Sequence, residues 1–290
     1  MFAGFNLTLD RYNFENMIST EIYSFEQFKA IGRTYISQRK SKCEENLKNY
    51  VLNGVTDGTK LADDWFPQID ADIFISHSHK DEDLALALAG WLYNKFELKC
   101  FIDSCVWGYI DDLLEMINKE YSERRPDKEG GYVYNHKKCN IAASHVNMML
   151  CMALQKMIDK TEAVFVVNTE NSIMKYGDVY ETATFSPWIY SEIVCTQIVR
   201  NKELSKYRSQ KIIKYAMDST TEINSMYQSA YNISLDHLKD IKTTDLINWE
   251  QRWRTVNNKS DRYGLDELYK ITYPDKVKKM IEFHNRIALG

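Results

Sequence analysis

From about residue 70 to residue 200, apolar positions alternate between short unbroken runs and longer stripes of helical period. Ile73 to Ser76 reads as a short buried strand. Asp81 to Phe96, with Leu84, Leu88, Trp91 and Leu92 on one face and acids in its first turn, reads as a helix. Gly90 in that helix is expected to allow close approach to a sheet. Lys99 to Asp103, K-C-F-I-D, is a second strand, followed by the loop S-C-V-W-G-Y-I and a helix striped by Ile110, Leu113, Leu114, Ile117 and Tyr121. A further helix carries Val146, Met149, Leu150, Ala153, Leu154, Met157 and Ile158, a methionine-rich stripe of the kind that fills cores. Ala163 to Val167, A-V-F-V-V, is continuously apolar and of strand length, which predicts a central strand covered on both faces. Ser186-Pro187 supplies an N-cap residue and a proline at the first helical position, so a helix is predicted from Pro187 to about Arg200. Ile212 to Met217 is a weaker strand candidate.

The flanks have a different character. Ser24-Phe-Glu-Gln27 is a capping box, and Phe28, Ile31, Tyr35, Leu47, Tyr50 and Val51 keep helical spacing to a C′ candidate at Gly54. The polar centre from Gln38 to Asn46 is a candidate break. Val55 to Asp70 reads as a connector whose Trp65 and Phe66 pack onto the α/β segment after it. Residues 1–67 are therefore expected to be a helical N-terminal extension and linker, 68–218 the α/β domain, and 219–290 a helical C-terminal extension whose last helix opens near Pro274. Glu123 to Asn140 has neither period and is expected to be a mobile surface insertion. Strand–helix alternation predicts a parallel sheet with helices on both faces, its site at the carboxyl ends of the strands. Those ends are Ser76 to His79, Asp103-Ser104 and Asn168-Thr169.

Composition narrows the partners. A net charge of −4 and a pI near 5.9 argue against a protein built to grip phosphate backbones, so no nucleic-acid partner is expected. No apolar window approaches the ~18 residues of a membrane span, and Asp10 and Arg11 come early for a secretory signal, so no membrane contact and a cytoplasmic location are expected. Six cysteines without a C-x-x-C pair are expected to be reduced, and the N-x-[ST] matches at Asn6 and Asn232 then carry no meaning. Neither G-x-G-x-x-G nor the P-loop pattern occurs; a nucleotide would have to bind by another arrangement.

Three pieces together carry a family likeness: F-I-S-H-S-H-K-D from Phe74 to Asp81, C-F-I-D from Cys100 to Asp103, and S-P-W-I-Y-S-E-I from Ser186 to Ile193. Over about residues 70–215 the chain resembles the Toll/interleukin-1 receptor (TIR) domain, which implies a flavodoxin-like fold. The third piece looks like the S-x-W-x-x-x-E signature of that family, whose glutamate is catalytic in TIR enzymes; here it is Glu192. The resemblance implies cleavage of the nicotinamide–ribose bond of NAD+, with NAD+ as substrate and no cofactor or metal. A carboxylate suits that chemistry, because bond breaking builds an oxocarbenium-like positive charge on the ribose. Trp188, one turn before Glu192, shares its face and is expected to pack beside the site. Trp107 is a candidate lid that stacks on nicotinamide or adenine, with Gly108 freeing the loop; its alternative is an anchor of the loop or a protomer contact. Ser76, His77, Ser78 and Asp103 are expected to line the cleft and bond ribose or phosphate, the alternative being ordinary capping. The loop after Asp103, S-C-V-W-G, departs from receptor TIR domains, which weakens a receptor-adaptor reading. Stand-alone prokaryotic TIR proteins of Thoeris-type antiphage defence are the nearer likeness. They imply a homo-oligomer on activation, a phage-derived trigger, and an ADP-ribose-derived signal read by a separate effector.

Two rival readings remain. His77-x-His79-x-Asp81 matches the start of a zinc hydrolase motif, although that motif ends in a histidine where this chain has Glu82. The other is a non-catalytic TIR module that signals by assembly.

Overall fold

The computed structural model describes residues 1–37, 47–52, 55–107, 110–128, 130–176, 180–208, 229–256 and 263–278. At its centre is a five-stranded sheet in which every neighbouring pair is parallel, flanked by helices. Along the chain these strands are β1 (Ala3–Thr8), β2 (Ile73–Ser76), β3 (Cys100–Phe101), β4 (Ala163–Asn168) and β5 (Lys239–Lys242). Across the sheet their order is β5-β1-β4-β2-β3. The chain leaves β2 toward β3 on one side and leaves β4 toward β5 on the other, so the winding reverses between β2 and β4. The carboxyl end of that pair is where an open parallel sheet leaves a crevice for a ligand. Both strands are short apolar runs buried on both faces, with Ile73 opposite Ala163 and Ser76 opposite Val166.

The layout of the flanks differs from expectation. Residues 1–67, expected to be a helical extension and linker, open with β1, which lies inside the sheet between β4 and β5. Its register runs from Ala3 opposite Ala163 to Thr8 opposite Asn168. Phe5 and Leu7 alternate with Gly4 and Asn6, residues of low strand propensity, so pairing on both edges makes this strand more than local preference does. Residues 219–290 likewise supply β5, K-D-I-K, in which only Ile241 is buried; its charged residues suit a sheet edge. The α/β unit therefore draws strands from both flanks and is not confined to 68–218. The Ile212 to Met217 strand candidate, the Gln38 to Asn46 stretch, Gly54, Gly108, and the chain beyond residue 278, where the last predicted helix continues, lie outside the described residues.

The helix of Phe25–Ser37 starts as its sequence predicts: the Gln27 side chain accepts from the Ser24 backbone N–H at 2.8 Å, and the Ser24 hydroxyl accepts from the Gln27 N–H at 3.4 Å. It crosses the Glu82–Phe96 helix at van der Waals contact of the two backbones. A Cβ on Gly90 would lie 1.9 Å from the Phe28 carbonyl oxygen, and one on Gly32 would lie 2.0 Å from that of Leu86. Gly90 thus serves a helix–helix crossing, not the sheet approach expected of it. The Glu82–Phe96 helix is consequently buried nearly all round from Leu84 to Leu92, beyond its predicted single face.

Helices Thr243–Arg254 and Gly264–Thr272 pack against the same side of the molecule. Trp249 stacks on Phe96, ring centroids 4.1 Å apart, and Tyr269 lies against Phe5 of β1. The Glu123 to Asn140 stretch, expected as a mobile surface insertion with neither period, forms a small hairpin of Arg125–Pro126 with Tyr132–Val133 and then the first turn of a 25-residue helix, His136–Lys160. Asn135 caps that helix. Between β4 and Ser186 the chain forms part of a second small antiparallel sheet, Met174–Tyr176 and Tyr180–Thr184 with Tyr231–Asn232. Trp65 and Phe66 pack into the core as expected. Among the described residues no helix is long and apolar enough to cross a membrane, and no disulfide joins the described cysteines.

Candidate active site

The helix Pro187–Ile198 begins as predicted, with the Ser186 hydroxyl accepting from the Ile189 N–H at 3.2 Å and Pro187 at its first position. Its second turn carries Glu192 inward to the end of β2. There the Ser76 hydroxyl donates to Glu192 Oε2 at 2.6 Å, across 116 residues of sequence. Both side chains are buried, Glu192 at 4% exposure.

Glu192 lines a cavity of about 340 Å³ beyond the carboxyl ends of β2 and β3; the end of β4, Asn168-Thr169, does not line it. The segment after β2 contributes His77 and His79; the turn after β3 contributes Asp103, Ser104 and Trp107; the Glu192 helix adds Ser186, Trp188 and Ile189. Ile110 and Leu150 complete an apolar wall. Burial, and then the nearby Asp103 carboxylate, push the Glu192 carboxyl well above the ordinary carboxylic acid range; the Ser76 hydrogen bond pulls only partly the other way. With protein groups alone around it, this acid is biased toward its protonated form. Behind it, burial raises the Cys195 thiol to about 11, so that neighbour is a neutral packing group and not a nucleophile.

His77 has 8% exposure, and neither ring nitrogen has a hydrogen-bond partner among the described residues. A buried polar group left without a partner costs about 1–3 kcal/mol, and such groups persist mainly where function retains them.

The expected site residues divide. Ser76, His77, Asp103, Trp107, Trp188 and Glu192 come together, five around the cavity and Ser76 through its bond to Glu192. Trp107 is not free to act as a lid: it is 2% exposed, its Nε1–H donates to the Pro67 carbonyl at 3.0 Å, and its ring meets Phe66 and Phe101 edge-on. It is the anchor of its loop. Ser78 stands outside the lining; it precedes the helical turn His79–Asp81, where its carbonyl accepts from the Asp81 N–H at 2.7 Å. Ser104 lines the cavity as its place at a strand end implied, and Ile110, Leu150, Ser186 and Ile189 line it although none of these four was expected as a cleft residue. Ser104 directly follows Asp103 and was legible from that position, whereas Leu150 reaches the site only because the long helix packs there.

For the zinc reading, Asp81 engages its carboxylate elsewhere, accepting from Thr169 Oγ1 at 2.5 Å and Asn171 Nδ2 at 2.8 Å, which ties the loop after β4 to the start of the Glu82–Phe96 helix. Among the described residues no three His, Cys, Asp or Glu side chains gather to hold a metal ion. A second cavity of about 380 Å³, between the Gly58–Trp65 and His136–Lys160 helices, is lined mainly by Leu61, Ile117, Ile141 and Met149, with no carboxylate among its described lining residues. It is the roomier of the two, but only the Glu192 cavity brings acids and imidazoles together.

No protein-family model matches the chain, and neither a curated protein nor a solved structure is significantly similar to it.

Proposed function

We propose that the protein is a TIR-type NAD+ glycohydrolase or cyclase that breaks the nicotinamide–ribose bond at Glu192. The observation that carries this reading is the buried Glu192 carboxyl, positioned by Ser76 in a cavity at the carboxyl ends of two neighbouring strands, β2 and β3, of a parallel sheet. When the C1′–N bond breaks, its electron pair returns to the pyridinium nitrogen and the positive charge passes to C1′ and the ring oxygen of the ribose. An ionised Glu192 stabilises that charge in a water-poor site, where an electrostatic contact is worth far more than in bulk water. Water or a hydroxyl of the substrate itself then captures the sugar. Trp188 and the Ile110–Leu150 wall exclude bulk solvent. The TIR-like motifs at Phe74 to Asp81 and Ser186 to Ile193 support the assignment, since both meet at this one cavity.

In the Thoeris-type setting that the sequence resembles, the product is an ADP-ribose-derived signal for a separate effector, released after a phage-derived trigger. The test is incubation of the full chain with NAD+ at high protein concentration, with mass spectrometry of the products. Nicotinamide release by the native protein and none by Glu192→Gln is the expected result; retained release by the variant removes the assignment.

One observation favours signalling by assembly as a second reading. Ile141, Met148 and Met152 form an exposed apolar stripe on the His136–Lys160 helix, of the kind that oligomers cover. A pure scaffold would keep signalling in Glu192→Gln and lose it when this stripe is made polar. An enzyme that must oligomerise loses it in both.

A further inference from the structure

The second cavity, of about 380 Å³, differs in chemistry from the Glu192 site and has no part in the reaction proposed there. Lys138, Ile141, Ala142, His145 and Met149 recur at three- and four-residue spacing, so one face of the His136–Lys160 helix supplies its longest wall. Leu61 of the Gly58–Trp65 helix and Ile117 of the Ile110–Tyr121 helix stand on its other sides. Two small residues leave the space open. Ala142 adds only a methyl group and Gly58 adds none; a Cβ at Gly58 would already stand 3.2 Å from Met149 Cε. Close-packed interiors hold few voids larger than a water molecule, whereas a concave, mostly apolar surface with a few polar groups is the ordinary form of a small-molecule site. A cavity of roughly 150 Å³ takes benzene, so one more than twice as large takes a fused two-ring body.

The polar groups decide what that body carries. Thr56, Tyr121, Lys138 and His145 are the polar side chains of the described lining, and none of them is an acid that would repel an anion. Lys138 is half exposed and pairs with Glu123 at 2.8 Å. That pair is open to water on both sides and therefore weak, and an ammonium has three donors of which Glu123 takes one. His145, two turns further along the same face and exposed, offers a ring nitrogen at the same opening. A sugar or a polyphosphate would leave most of its polar surface against apolar walls without partners. An apolar body with a single acidic group suits both the walls and the opening. We propose that this cavity binds a small apolar carboxylic acid, with its ring body among Leu61, Ile117 and Met149 and its carboxylate toward Lys138 and His145. The assignment does not rest on the function proposed for Glu192.

Calorimetric titration of the full chain at pH 7.5 tests this with three probes that share one ring body: 2-naphthoate, 2-naphthalenemethanol and 2-naphthylmethylammonium. Naphthoate should bind about threefold or more tighter than the alcohol and about tenfold or more tighter than the ammonium, the scale that partly exposed charges allow. Changing Lys138 and His145 together to glutamine, at two exposed positions that leave the fold intact, should bring the three probes within about twofold of each other. Glu123→Gln, which frees Lys138, should tighten naphthoate alone, by up to about fivefold. Ala142→Phe, which puts a ring into the cavity, should weaken all three by about tenfold or more while the thermal melt shows a folded protein. Equal binding of the three probes, tightest binding of the ammonium, a naphthoate preference that survives the double change, or no binding at millimolar concentration overturns the proposal. So does binding that vanishes as protein concentration rises, which would mean that a second copy of the chain covers this cavity. NAD+ cleavage is measured separately, and its failure would leave this site standing.

Discussion

The crossing of the Phe25–Ser37 and Glu82–Phe96 helices and the cavity at the end of β2 lie at opposite extremes of polar satisfaction. At the crossing, two glycines bring the backbones together, and the adjoining aromatic cluster of Trp91, Phe96 and Trp249 has paired indoles at its edge. Trp249 Nε1–H donates to the Gly264 carbonyl at 2.8 Å and Trp253 Nε1–H to that of Lys95 at 3.0 Å. Lys95 itself is held by Glu21 and, at 3.1 Å, by Glu250, joining three segments far apart in sequence. At the cavity, Glu192 is buried with one hydroxyl donor and a second acid nearby, and His77 is buried with no partner among the described residues. The first region holds the fold together and the second departs from the same packing rules. Local costs of that kind concentrate at functional sites, where the surrounding structure over-determines a geometry that is unfavourable by itself.

The contrast can be broken from either side. Glu192→Gln keeps size and burial and removes the carboxylate, so nicotinamide release should fall by at least about a thousandfold, equivalent to ~4 kcal/mol of barrier, with an unchanged circular dichroism spectrum. Gly90→Ala puts a methyl group against the Phe28 carbonyl and should cost about 2–3 kcal/mol in urea unfolding, with residual activity following the folded fraction. A smaller loss would mean that the helices can slide apart. Ser76→Ala removes the donor to Glu192, and a hydrogen bond to a charged acceptor is worth about 1.5–3 kcal/mol. Activity should drop ten- to a hundredfold, and the acidic limb of the pH profile should move to higher pH, because the bond that favoured the ionised form is gone. An unshifted limb would separate Ser76 from the titration.

The smallest effect is on stability against pH. The folded-state pKa of Glu192 is raised, so the native protein binds this proton more tightly than the unfolded chain does. Its contribution is fully present below the ordinary carboxyl value, near 4.5, and is lost as pH rises from there through the folded value. Glu192→Gln lacks this titration. Between pH 4 and pH 8 it should therefore gain on the native protein in unfolding free energy, the gain growing as pH rises. A difference that stays constant with pH would mean that Glu192 is already ionised in the free protein.

Local signals carried far in some parts of the chain. The capping box at Ser24, the Ser186-Pro187 helix start and the apolar runs of β2 and β4 are set by residues within one or two turns of each other, and each element stands where its sequence puts it. The cavity residues Asp103, Trp188 and Glu192 were legible because they sit at strand ends or in a motif. β1 was not, because Gly4 and Asn6 are poor strand formers that become strand only between two neighbours already extended. K-D-I-K of β5 has one buried residue and gains its conformation from the edge that β1 offers. Trp107 read as a candidate lid because an indole beside a glycine in a loop has that look; the Pro67 carbonyl that pins it lies 40 residues earlier.

The sequence by itself determined the parallel α/β core and the helix starts, since periodicity, capping and β-branched runs act over a few residues, and a family resemblance pointed to the acid at position 192. Tertiary structure alone decided that the N-terminal strand enters the sheet interior, that Gly32 and Gly90 meet, and that Glu192 is buried against Ser76 beside the cavity. Each of these depends on desolvation or contact between segments tens to hundreds of residues apart, a property of the assembled fold that no local stretch of chain encodes.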